Sequence, residues 1–170
     1  MLPTANFVMR DAPLPTPCIG RCSTVFGDLV CRGCKRFLHE IIDWNGYDEA
    51  LKARVWQRLE RLLVQVLEEK LVILDRQALR HQLELRQIRF LPELSPYCWA
   101  YQLLASGARH IRRLEAYGLA LQPAFVGWAL PELRDRIDQE FFALSEACYQ
   151  QEASSRLEGL SVAARFPSAG

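Results

Sequence analysis

DEALKARVWQRLERLLVQVLEEKL, residues 48–71, is the stretch whose reading decides the fold. Leu51, Val55, Leu59, Leu62, Leu63, Val66 and Leu67 recur at steps of three and four. That spacing places them along one face of an α-helix and leaves the charged residues on the other. Asp48 or Asn45 can cap its start by accepting a free backbone N–H. The spacing predicts a helix over 48–71 with a partner on its apolar side.

Working outward, the helical period continues. Toward the N-terminus, Phe37 to Ile42 carries Leu38, Ile41 and Ile42 on one side, before Trp44 and the Asn45-Gly46 break. Toward the C-terminus, Asp75 can cap a helix containing Leu79 and Leu83 that ends before Pro92. Ser95-Pro96 is a start signal, a hydroxyl cap followed by proline in the first turn. That helix is expected to run to Tyr117, with Gly118 as its stop. Leu130-Pro131 opens a last long helix with the stripe Leu133, Ile137, Phe141, Leu144 and Cys148. No alternating strand is legible, and Val72-Ile73-Leu74 reads as a buried turn. The expected class is all-α: a small four-cysteine metal knuckle followed by a bundle of about four to five helices. The expected divisions are an extended lead-in at 1–17, a cysteine module at 18–47, a bundle at 48–159 and a flexible tail at 160–170.

Composition sets bounds. The chain has 170 residues, half of them hydrophobic and 24% charged, with a net charge of +1. Such a length can bury roughly 70% of the unfolded surface in one core. The near-neutral total does not mark a general polyanion binder. No run of about 18 apolar residues predicts a membrane span. MLPTANFVMRDAPLPTP has neither the basic nor the apolar region of a signal peptide. A cytoplasmic protein with reduced cysteines is therefore expected.

The chemistry concentrates in Cys18-Ile-Gly-Arg-Cys22 and Cys31-Arg-Gly-Cys34. Two short cysteine pairs joined by a short loop can bring four thiolates to one inorganic centre. Cys18, Cys22, Cys31 and Cys34 are the expected ligands. Zinc and an iron–sulfur cluster both use such turns, and the spacing leaves the metal open. Backbone N–H groups at Gly20 and Gly33, and the charges of Arg21, Arg32 and Arg36, are candidates to support the sulfurs. Lys35 adds charge beside them. Residues 18–36 hold few large apolar groups, so the module needs a cross-link, and metal binding can supply roughly 10–16 kcal/mol. A four-cysteine centre is coordinatively closed, which favours a structural role over turnover. Cys98 and Cys148 lie in apolar helical patterns and read as free thiols in the core.

Pro17-Cys18-Ile19-Gly20-x-Cys22, Cys31-x-Gly33-Cys34-x-Arg36, Glu40-Ile41 and Trp44 together resemble domain of unknown function 1289, over about residues 16–60. Phe37 stands where that family often has a small polar residue. The resemblance implies a bacterial metal-binding protein with those four cysteines as ligands. It also favours iron–sulfur, because the family is often described as predicted iron–sulfur proteins. It implies no substrate and does not reach the region after residue 70.

Other groups read as structural. His39 stands near the cysteines as a polar residue of the short helix, while His81 and His110 lack a fixed acid. Tyr97, Trp99 and Tyr101 read as core residues. Arg109, Arg112 and Arg113 form a basic cluster that could meet nucleic acid, but interspersed glutamates make a solvated face the favoured reading. Glu132, Asp135, Asp138 and Glu140, with Arg134 and Arg136, fit an exposed charged face. The expected function is metal binding by a protein whose helices dock a protein partner, without catalysis. An iron–sulfur redox or sensor protein is the alternative, and a nucleic-acid-binding module comes third.

Overall fold

The computed structural model describes residues 13–165. Residues 1–12 of the expected lead-in and 166–170 of the expected tail lie outside the described residues. The helices are α1 (Leu38–Ile42), α2 (Glu49–Glu68), α3 (Arg76–Leu85), α4 (Pro96–Gly107) and α5 (Leu130–Arg165). Two short strands, β1 (Leu71–Ile73) and β2 (Leu119–Leu121), pair antiparallel with Leu71 opposite Leu121. The fold is mostly helical and carries this small sheet in addition.

α2 forms where the apolar period demands it, and Asp48 caps it by accepting the Leu51 N–H at 2.8 Å. Val55, Leu59, Leu62, Leu63, Val66 and Leu67 are buried against α4 and α5. Leu51, the first residue of the expected stripe, is exposed. Asp75 caps α3 through the amides of Gln77 and Ala78, and Ser95 caps α4 with Pro96 in its first turn. Trp99 lies under the α3–α4 connection and donates its Nε1–H to the Leu91 carbonyl at 2.8 Å.

Several expectations are corrected. The helix expected over 95–117 ends at Gly107 and gives way to a turn, then to a 3-10 segment, Leu114–Tyr117. Val72 and Ile73 belong to a strand, not a buried turn. Gly118 explains the junction. Its φ is +71°, and a Cβ there would lie 2.3 Å from the Asp75 carbonyl oxygen. The Gly118 carbonyl takes the amides of Leu74 and Asp75, which locks β2 against the start of α3. α1 buries Glu40, while Ile42 of its expected apolar side is exposed. α5 continues through Arg165, into the stretch expected to be tail. Its acids are not simply a solvated face, because Asp138 and Glu140 receive the buried ammonium groups of Lys35 and Lys70.

Candidate metal centre

Cys31 and Cys34 sit in a tight hairpin. Val30 and Phe37 pair as an antiparallel bridge, the Cys31 amide donates to the Arg36 carbonyl at 2.9 Å, and the Lys35 amide donates to the Cys31 carbonyl at 2.8 Å. Lys35 closes the turn with φ +60°, a left-handed conformation that side chains other than glycine's adopt at a cost of about 1–2 kcal/mol. Three hydrogen bonds hold it there. Its amide is spent on Cys31, and its ammonium donates to the carbonyls of Arg32 (2.6 Å) and Gly33 (3.3 Å). The same ammonium meets Asp138 of α5, which also accepts from Tyr101 of α4 at 2.7 Å. A single buried lysine thus fastens the cysteine hairpin to the bundle.

The first cysteine arm crosses this hairpin closely. A Cβ on Gly33 would stand 2.4 Å from the Arg21 carbonyl oxygen and 3.2 Å from Ile19. Only a residue without a side chain lets the two arms approach so far. Ser23 Oγ accepts the Arg32 amide at 2.8 Å, and the Cys31 thiol lies 3.7 Å from the Arg21 carbonyl.

Burial raises the Cys31 thiol, but amides of Cys34, Ser23 and Gly33 and the Cys34 side chain outweigh it, bringing its pKa to about 7. Cys34 is pushed up by burial, with the Arg36 guanidinium opposing at 3.4 Å. Gly20 donates its amide to Cys18 Sγ at 3.4 Å, and Cys22 Sγ lies 2.9 Å from Thr24 Oγ1. Cys31 and Cys34 are buried, Cys22 is half-buried and Cys18 is exposed. Among the described residues, no three or more His, Cys, Asp and Glu side chains stand in an arrangement that would hold a metal ion. Cys31 and Cys34 interact directly as a pair, and the chain between Cys18 and Cys22 crosses that pair's turn at Gly33 through Ile19 and the Arg21 carbonyl. As a donor set they fit a thiolate-bound centre: soft ligands, amide donors at sulfur and a cationic neighbour in Arg36.

The supporting residues divide. Gly20 and Gly33 turn amides to the Cys18 and Cys31 sulfurs, and the Arg36 guanidinium lies against Cys34. Arg21 presents its carbonyl, an acceptor, to the Cys31 thiol. Arg32 points elsewhere, pairing with Asp28 at 3.1 Å and lying over the Phe142 ring. Arg109, Arg112 and Arg113 lie on an exposed turn after α4, not on a helix. Cys98 is buried and Cys148 half-buried against the bundle core.

Sequence reasoning missed the Glu40–Arg58 pair. Two hydrogen bonds of 2.8 and 2.7 Å join α1 to α2, with both side chains below one-tenth exposure. Glu40 also accepts the Phe37 amide, and Arg58 stacks 3.6 Å from the Phe37 ring. Phe37 is fully buried and meets Tyr149 of α5 edge-on. Glu40 three residues after Phe37 was the available signal, because a glutamate there can reach back to a free amide at a helix start.

No curated protein and no solved structure matches the chain. Among the described residues, no helix is long and apolar enough to cross a membrane. Residues 16–63, which span the cysteine module, α1 and most of α2, match the family described as protein of unknown function (DUF1289).

Proposed function

We propose that the chain is a metal-binding protein whose Cys18, Cys22, Cys31 and Cys34 thiolates hold zinc or an iron–sulfur centre, and whose bundle presents that centre to a protein partner. The observation that carries this reading is the close crossing of the two cysteine arms at Gly33, with backbone amides turned to the sulfurs of Cys18 and Cys31. Amide donors at sulfur spread the net negative charge of a thiolate centre, which supports this reading. No turnover is proposed, since four thiolates close the coordination shell. A reducing cytoplasm is the proposed setting, where thiolates persist.

The test is metal and sulfide analysis of the full chain purified without air. One zinc per chain and no colour supports a structural site and removes the redox alternative. Iron with inorganic sulfide, brown and bleached by dithionite, supports the cluster. Cys31→Ser/Cys34→Ser should abolish either while far-UV circular dichroism keeps most of its helix. A chain that binds neither metal, even on reconstitution, refutes the proposal.

A further inference from the structure

Between the cysteine module and the facing sides of α4 and α5 lies an open cleft of about 630 Å³. Arg21 and Arg32 line it from the module, Arg134 lines it from α5, and Tyr101 from α4 forms part of its wall. The acids of this region are already engaged. Asp135 holds Arg134 through contacts of 2.6 and 2.8 Å, Asp28 holds Arg32, and Asp138 holds Lys35 and Tyr101. Arg21 has no side-chain partner among the described residues. The cleft therefore carries one uncompensated positive charge, flanked by two guanidinium groups that keep unused donors.

Its rim is apolar and wet. Phe26 is 90% exposed and Ile19 61%, and both border the cleft. Val25 and Leu29, close by in sequence, are exposed as well. One exposed apolar residue needs no explanation, but four large ones within residues 19–29, two of them bordering a basic cleft, are what an interface is expected to offer. A free small anion would satisfy Arg21 and leave this rim in water. A peptide segment that offers a carboxylate and a large side chain together would cover both.

We propose that the cleft and its rim receive an acidic segment of a partner protein in which an aspartate or glutamate stands beside a large apolar residue. This rests on the interaction role given above and names the partner's chemistry. The carboxylate meets Arg21 with Arg134 opposite, and the apolar side chain packs on Phe26 and Ile19. Such pairing gives orientation and on-rate through charge, and residence through the buried apolar contact.

The test pans a random twelve-residue peptide display library against the metal-replete full chain. The enriched peptides are then measured by fluorescence anisotropy. Enrichment of Asp or Glu next to Phe, Trp, Leu or Met is expected. Phe26→Ser and Arg134→Glu, which leave all four cysteines in place, should each weaken the selected peptides about tenfold or more, and raised salt should weaken them further. Basic peptides, no enrichment, or affinities unchanged in both variants overturn the proposal. Metal content measured in parallel separates the two readings. A metal-free chain that still selects acidic–apolar peptides through Phe26 refutes the metal site alone. A metal-loaded chain that selects none refutes the docking alone.

Discussion

The bundle fills its interior mainly with leucines, among them Leu67, Leu71, Leu79, Leu83, Leu103 and Leu104, around Trp99. The cysteine module, on the same α2 helix, buries Val30, Phe37 and Trp44 but also Lys35, Arg36 and Glu40. Apolar burial is non-directional and tolerates small shifts. A buried charge holds only if its partner stands at the right place, since desolvation must be offset by good geometry. The bundle is thus held chiefly by apolar burial, with Lys70 and Glu140 as a buried charge contact of its own. The module keeps its shape through point contacts: Lys35 to Asp138, Glu40 to Arg58 and Gly33 under Arg21. Changing one such contact should disturb the module far more than the bundle.

The sharpest way to break the contrast is Glu40→Ala. It leaves the Arg58 guanidinium buried without its carboxylate and frees the Phe37 amide. A loss of about 3–5 kcal/mol is expected. The double variant Glu40→Leu/Arg58→Met should recover most of it, because a well-packed apolar pair can replace a buried ion pair at little cost. Urea denaturation of the three variants measures this. If the double variant is as unstable as the single one, the pair supplies more than its own neutrality. The likeness drawn between this contact and an ordinary buried ion pair then fails.

A smaller and more local effect is expected from Gly33→Ala. The new methyl meets a backbone oxygen, not a flexible side chain, so the two cysteine arms must part. Overpacking of this kind costs about 1–3 kcal/mol. Under the proposed metal reading, the change should weaken retention against a chelator by about 10–100-fold, the scale seen when groups around metal ligands are altered. The bundle's amides should keep their hydrogen-exchange protection. Loss of protection throughout α2, α4 and α5 would show that module and bundle form one cooperative unit.

Local signals in the sequence were enough for the helix starts of the bundle. Asp48, Asp75 and Ser95-Pro96 cap helices where they stand, and the α2 stripe from Val55 onward and the α5 stripe face the core. The end of α4 was illegible for a physical reason. Ala108, Ile111 and Leu114 are buried at intervals of three, so the apolar period runs on through a turn that is no longer an α-helix. β1 and β2 were hidden because each has three residues and its pairing partner lies about fifty positions away. In the module, the cysteine spacing and the glycines were legible as chemistry. The contacts that place them were not: Lys35 to Asp138 and Glu40 to Arg58 link charges distant in sequence, and charged residues at those positions read equally well as solvated.

The subtlest test compares two glutamates of the two regions. Glu40 has Arg58; Glu60 of α2 is half-buried toward the start of α4, and its recorded partner is the Ser95 amide. Burial holds the Glu60 carboxyl above the usual carboxylate range, with that amide only partly opposing. The unfolded chain therefore loses this proton first. As pH rises from about 4 through the folded value, the native state bears an increasing penalty for the charge, so this residue's contribution to stability falls and then levels off. Glu60→Gln keeps an acceptor for Ser95 and removes the charge. It should stabilise the protein modestly at pH 7 and leave stability near pH 4 almost unchanged. Glu140 works in the opposite direction, since burial of its carboxyl is outweighed by Lys70 and Arg136, which hold it below the usual range. The readout is therefore the difference between variant and native chain at each pH, which cancels that shared background. A variant that is less stable than the native chain at pH 7 would mean that the ionised Glu60 is held by its surroundings as Glu40 is held by Arg58, and this distinction between the two regions would be lost.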